Sequence, residues 1–180
     1  MTTPPPHLER RISVDETTAA DRELVTNLYQ FYLYDFSEML DFPVEANGLY
    51  DIGGDLDGCW ETPSRYTYVL KVNDEPAGMA VVDDFKANPD VRHYEAPTAD
   101  IAEFFVMRKF RRTGVGRQFA FTLFDRFPGA WSVRQVAENT GGITFWRKII
   151  DEYTRGAYQE REWQTSTRSG YGQYFESIAK

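Results

Sequence analysis

The apolar, aromatic run at residues 100–106, Asp-Ile-Ala-Glu-Phe-Phe-Val, is followed by Arg111-Arg112-Thr113-Gly114-Val115-Gly116, and then by a stretch in which Val115, Phe119, Leu123 and Phe127 recur every four residues. The first run has the aromatic and branched residues of a strand. The last has the spacing of an amphipathic helix, ended by Pro128-Gly129. A strand feeding a helix through a glycine-containing loop commits this part of the chain to an α/β arrangement and also makes an anion site. The first amides of the helix lack intrahelical partners, and its dipole places partial positive charge there. Gly114 and Gly116 let a ligand approach the backbone, and Arg111, Arg112 and Arg117 add charge around it. The plainer alternative is a helix start whose glycines make a turn and whose arginines are solvated.

The flanking sequence extends the same architecture. Residues 10–14 are a short strand candidate, and Thr17 or Thr18 can cap a helix in which Leu24, Leu28 and Phe31 recur, reaching Leu33 or beyond. Tyr66, Tyr68, Leu70 and Val72 alternate with more polar residues, Asn73-Asp74-Glu75 supplies turn chemistry, and residues 77–82 return, so a hairpin is expected. After the glycine loop and its helix come a strand at 131–136, a short helix at 143–150 and a terminal strand at 173–177. Residues 41–64, with Gly48, Gly53, Gly54, Gly58 and Pro63, form a long loop, a candidate lid. Residues 83–97 are a polar connection.

With 180 residues, 42% of them hydrophobic, the chain suits one domain over 9–180, preceded by a proline-rich tail at 1–8. No stretch reaches the roughly 18 apolar residues of a membrane span, and Met1-Thr2-Thr3-Pro4 begins no signal peptide. A cytoplasmic protein is expected. Cys59 is the only cysteine and there are two histidines, so no metal site is expected. The net charge of −8 argues against nucleic acid as a partner. That charge is unevenly spread: residues 1–100 hold 7 Lys/Arg against 20 Asp/Glu, and residues 101–180 hold 13 against 8. The halves should favour ligands of opposite sign. An aromatic content of 16% allows a homodimer as readily as a large core.

Rival phosphate loops fit poorly. There is no Gly-Lys-Ser/Thr, and Arg-x-x-Gly-x-Gly replaces the Gly-x-Gly-x-x-Gly of a dinucleotide fold. The loop resembles that of the GNAT N-acetyltransferase superfamily, Gln/Arg-x-x-Gly-x-Gly/Ala, with Arg111, Gly114 and Gly116 at its fixed positions. Downstream, Trp131-Ser-Val-Arg-Gln-Val136, Asn139 and Phe145-Trp146 are similar to the superfamily's fifth strand, cofactor-contacting asparagine and Phe-Tyr pair. Residues 32–37, with Phe104 to Val106 and Phe145-Trp146, also look like a poorly characterised bacterial branch.

The resemblance implies a mixed α/β fold, a central sheet of six or seven strands flanked by helices, with an acceptor side at 9–98 and a CoA-binding core at 99–150. It implies acetyl-CoA as co-substrate, with Phe104, Phe105 and Val106 offering backbone groups to the pantetheine arm and one amide acting as oxyanion donor. Arg112, Thr113, Gly114, Val115, Gly116 and Arg117 would hold the pyrophosphate, with Arg111 at the motif's first position. Asn139 would bind the arm from the other side, its alternative being a loop or capping residue, and Phe145 would pack beneath. The activity implied is acetyl transfer to a primary amine of a small cationic molecule or peptide end by direct attack.

Such chemistry needs a base for the ammonium. Glu103 and Asp100 are the candidates. Three residues apart, they point to opposite faces of a regular strand unless a bulge intervenes, and the apolar neighbours of Glu103 should raise its pKa. Trp146 and Arg134 stand where relatives often carry a tyrosine acid and a glutamate base. Tyr153 is a substitute acid. Cys59 lacks a neighbouring base and reads as inert. On the acceptor side, Tyr32, Tyr34 and Asp35, with Asp51, Asp55, Asp57 and Glu61, could attract a cation and flank it with aromatic faces. The departures from the usual acid and base leave open a catalytically silent acyl-CoA sensor or regulatory module, and a weaker third reading is a protein that binds another nucleotide.

Overall fold

The computed structural model describes residues 10–86 and 97–177. The tail expected at 1–8 and most of the polar connection lie outside them. The described elements are β1 (Ile12–Glu16), α1 (Arg22–Phe36), β2 (Arg65–Val72), β3 (Glu75–Asp84), β4 (Ala99–Val106), α2 (Val115–Arg126), β5 (Gly129–Val136), α3 (Thr140–Thr154), β6 (Tyr158–Gln164) and β7 (Ser169–Ser177). The strands make one seven-stranded sheet in the order β1-β2-β3-β4-β5-β7-β6. The β4/β5 pair is parallel and the other pairs are antiparallel.

Local chemistry sets the boundaries. Thr18 accepts from the Ala20 amide, and the Asp21 carboxylate answers the Thr18 amide, a capping box over the short turn that opens α1. The β2–β3 hairpin turns on Asn73 and Asp74 at φ of 52° and 66°, the left-handed pair a two-residue connection requires. α3 is longer than expected, running from its cap at Asn139 to a left-handed Arg155 at φ 57°.

The sheet buries both faces. Val25, Leu28, Tyr29 and Leu33 of α1 pack with Val69, Met79, Val81 and Phe105 on one face. On the other, Phe119, Leu123 and Phe124 of α2 and Trp146, Ile149 and Ile150 of α3 cover Tyr68, Leu70, Val82, Trp131 and Phe175. The loop at 41–64 is docked against α1, with Leu56 and Cys59 buried and the Gln30 amide bonded to both main-chain groups of Tyr50, at 2.8 and 3.0 Å. None of the described helices is long and apolar enough to cross a membrane.

Phe124, fully buried, meets Trp131, Tyr153 and Phe175 edge-on at 4.9–5.1 Å. Phe124→Ala should lower stability by about 3–5 kcal/mol, read as a lower urea midpoint with unchanged slope. A loss under about 1 kcal/mol would contradict this packing.

Candidate active site

β4 pairs with β5 only where Ala99, Asp100 and Ile101 face Trp131, Ser132 and Val133. Beyond that the strands part. On the β3 side the Met107 amide donates to Ala77 O at 2.8 Å, and the alternation of an antiparallel ladder then directs the main-chain groups of Phe105 to β3 and those of Phe104 and Val106 toward the gap. The Val106 carbonyl accepts from Arg111 Nε at 2.7 Å. The Phe104 ring packs against Phe119, Phe145 and Trp146 at 4.8–5.8 Å on the α2/α3 face, and Phe105 is buried on the α1 face beside Tyr32.

The glycine loop enters α2 through Gly114 at φ +85°, and the first intrahelical bond is Gln118 N–H to Gly114 O at 3.1 Å. The amides of Val115, Gly116 and Arg117 therefore have no intrahelical partner. A Cβ on Gly116 would lie 3.4 Å from Phe145 Cε2 and 3.6 Å from Val106 Cγ2. The missing side chain thus leaves a cradle between the helix start, Phe145 and β4, of the kind a pyrophosphate and its arm need. The Thr113 hydroxyl donates to Phe110 O at 2.6 Å and locks the turn.

The arginines divide their roles. Arg111 bonds Asp35, which also accepts from Arg108 Nε at 2.9 Å. Arg117 pairs with Glu152 at 2.6 Å. Arg112, at φ 60°, is the loop arginine without an ion pair among the described residues. Asp35, expected to meet the acceptor, instead ties the end of α1 to the loop. Asn139 uses its side-chain oxygen to cap α3, accepting from the Gly142 amide at 2.8 Å, the alternative its residue type allowed.

The two candidate carboxylates lie on one face because β4 carries a bulge. Val81 pairs with Glu103 while Val82 pairs with Ile101, so Ala102 is the extra residue. Asp100 is buried and bonded to the Ser132 hydroxyl, with Arg134 at 3.4 Å. Glu103 lies beneath α1, where Tyr29 Oη stands 3.4 Å from Glu103 Oε1 and 2.7 Å from Asp55 Oδ2. Burial pushes the Glu103 carboxyl up to about 7; the hydrogen bond from the Tyr32 hydroxyl and the charge of Arg65 oppose the rise, and the Asp55 charge adds to it. Burial and the same carboxylates hold the Tyr29 and Tyr32 phenols well above their ordinary range.

Tyr153 stands elsewhere, on the α2/α3 face, bonded to Asp125 at 2.6 Å and Ser177 at 2.8 Å. Trp146 is buried core. Tyr34 is 61% exposed, on the side of α1 away from Tyr32, as two residues along a helix require. Of the acidic loop residues, Asp55 reaches the Glu103 niche, Asp51 holds the Gly53 amide at 2.8 Å, Glu61 pairs with Arg22, and Asp57 is exposed. Tyr29 was not legible as a site residue, although it shares a helix face with Tyr32 and Phe36 at spacings of three and four.

The model of the acetyltransferase (GNAT) family matches residues 24–150, more than half of the chain. No curated protein matches. Among solved structures, the chain is similar to an acetyltransferase from Thermus thermophilus (TM-score 0.62, 16% identity, 92% of this chain and 96% of that one). It is also similar to a spermidine N-acetyltransferase from Vibrio cholerae in complex with CoA and spermine (0.58, 8%, 93% and 96%). A third is the ribosomal-protein-S18-alanine N-acetyltransferase from Escherichia coli (0.53, 13%, 94% and 96%). At these identities the likeness establishes the fold, and with the family match it follows that the chain belongs to the GNAT acetyltransferase family.

Proposed function

We propose that the protein is an acetyl-CoA-dependent N-acetyltransferase that acts on a primary amine by direct transfer in a ternary complex, with Glu103 as general base. The observation that carries this reading is the position of Glu103: a half-buried carboxyl on the α1 face, raised to about 7, three residues past Asp100 on the strand whose neighbour turns away. Acetyl-CoA, when bound, supplies the activated acyl group. The residues present fit it: the first-turn amides of α2, the Gly116 cradle, Arg112 and the Phe104 and Val106 main chain line the gap from the phosphate end inward. Phe145 forms its wall.

Glu103 takes a proton from the acceptor ammonium, and a group titrating near neutrality holds that role best. Asp100, engaged by Ser132 and Arg134, is the weaker candidate. The Glu103 carboxylate, walled by Tyr29 and Tyr32, favours a cationic acceptor. Proteins of similar fold act on spermidine and on a ribosomal protein, so both small amines and peptide ends are acceptor classes to test. One observation favours a second reading, a silent acyl-CoA sensor: Trp146 is core and Tyr153 is anchored away from Glu103, so neither supplies an acid. Turnover of acetyl-CoA with any amine dismisses it.

Two outcomes are expected. In isothermal titration with CoA, Gly114→Asp should weaken binding by about tenfold or more, through strain at positive φ and a negative charge at the helix start. Arg112→Ala should weaken it less and flatten its salt dependence. Unchanged binding in Gly114→Asp counts against the site. In acetylation assays, only ionised Glu103 accepts a proton, so kcat/KM for the amine should rise with pH to a plateau above about 7. Glu103→Gln should lower the rate by about a hundredfold and abolish that limb.

A further inference from the structure

Glu103 is half-buried beneath α1, and as base it must return its proton to solvent before the next turnover while bound substrates cover its open side. The Tyr29 hydroxyl has one proton. At 2.7 Å from Asp55 and 3.4 Å from Glu103, that proton belongs to the bond with Asp55. Its oxygen then faces Glu103 with lone pairs that only the protonated form of the carboxyl can satisfy. Asp55 itself is exposed, at the surface of the docked loop, and its main-chain carbonyl accepts from Arg65 Nη2 at 2.7 Å. The three groups come from β4, α1 and the loop, and they form a continuous line from the base to water.

We infer that Tyr29 and Asp55 are the proton exit of the active site, which deepens the reading of Glu103 as base and rests on it. An N–H bond of the acceptor ammonium breaks and an O–H bond forms on Glu103. The Glu103 proton then passes to the Tyr29 oxygen as the Tyr29 proton passes to Asp55, which releases it to water. Tyr29 is neutral before and after, and rotation of its hydroxyl resets the line. No electron changes hands and no other reactant is needed. The charged and titratable groups facing Glu103 are Tyr29 and Tyr32 from α1, Asp55 from the loop and Arg65 from β2. Of these, Tyr29 alone bonds a second carboxylate, and Arg65 has no proton to give at neutral pH. Tyr29 and Asp55 act through Glu103 and are positioning residues toward the acceptor.

The test compares wild type, Tyr29→Phe, Asp55→Asn and Glu103→Gln, with acetyl-CoA and either spermidine or a peptide with an N-terminal alanine, following thiol release across pH. Asp55→Asn and Tyr29→Phe should each lower kcat by about tenfold, leave KM for the amine within about twofold, and retain the Glu103 pH limb. Added formate, a small diffusible carboxylate, should restore part of the rate in Asp55→Asn and none in Glu103→Gln. If Asp55→Asn instead raises KM at unchanged kcat, Asp55 is an acceptor contact and the relay is overturned. Unchanged kinetics in both variants, or no effect of formate, overturn it equally. Glu103→Gln with wild-type rate and pH limb overturns the base reading itself, and a wild type that binds acetyl-CoA but turns over neither amine overturns both.

Discussion

Main-chain groups on two strands that run in register for three residues and then diverge have to be satisfied by something other than each other. After Ile101 and Val133 this is the condition of the sheet's centre, and the neighbouring features follow from it. The gap lies between strands whose outer edges are firmly paired with β3 and β7, so it is held open by the sheet. The start of α2 stands at one end of it, and the bulge at Ala102 turns Glu103 to the α1 face within it. Under the proposed function, the helix start would face the phosphates of the co-substrate and Glu103 the separate acceptor amine.

The charge around the loop is more restrained than three arginines suggest. Arg111 and Arg117 are paired with Asp35 and Glu152, pairs that are partly exposed and each add little to stability. Their value is geometric. The Arg111 fork bonds the Val106 carbonyl and, through Asp35, the last turn of α1, so it ties that helix to the glycine loop. The acidic excess of the first hundred residues is put to use in the same way, with Asp35, Asp55 and Glu61 each holding another element in place.

What could be read in the sequence was what depends on neighbours along the chain. The strand, loop and helix from 100 to 127 rest on periodicity and glycine placement, and the hairpin at Asn73-Asp74 on turn chemistry. β6 escaped because Tyr-Gln-Glu-Arg-Glu-Trp-Gln, an exposed edge strand, has no buried face to alternate with. The site was half legible. Glu103 was marked by its apolar neighbours, whereas its partners Tyr29 and Asp55 are brought to it across 74 and 48 residues of chain. Asp35 was chosen by type and position, which could not foresee the arginines that claim it, and Asn139 by resemblance, where its residue type already allowed the cap it makes.

The absence of a tyrosine acid where relatives often have one is less of a deficit than it looks. A thiol ionises near about 8.5 and a primary ammonium near about 10.4, so at neutral pH the leaving thiolate is close to stable while the attacking amine is almost wholly protonated. The larger barrier is the proton on the nucleophile, and it falls on the base to remove it. Under the proposed function, a chain that places Trp146 in its core, anchors Tyr153 between Asp125 and Ser177, and surrounds one half-buried glutamate with two tyrosines and a surface aspartate puts its acid–base chemistry on the side of the reaction that needs it more.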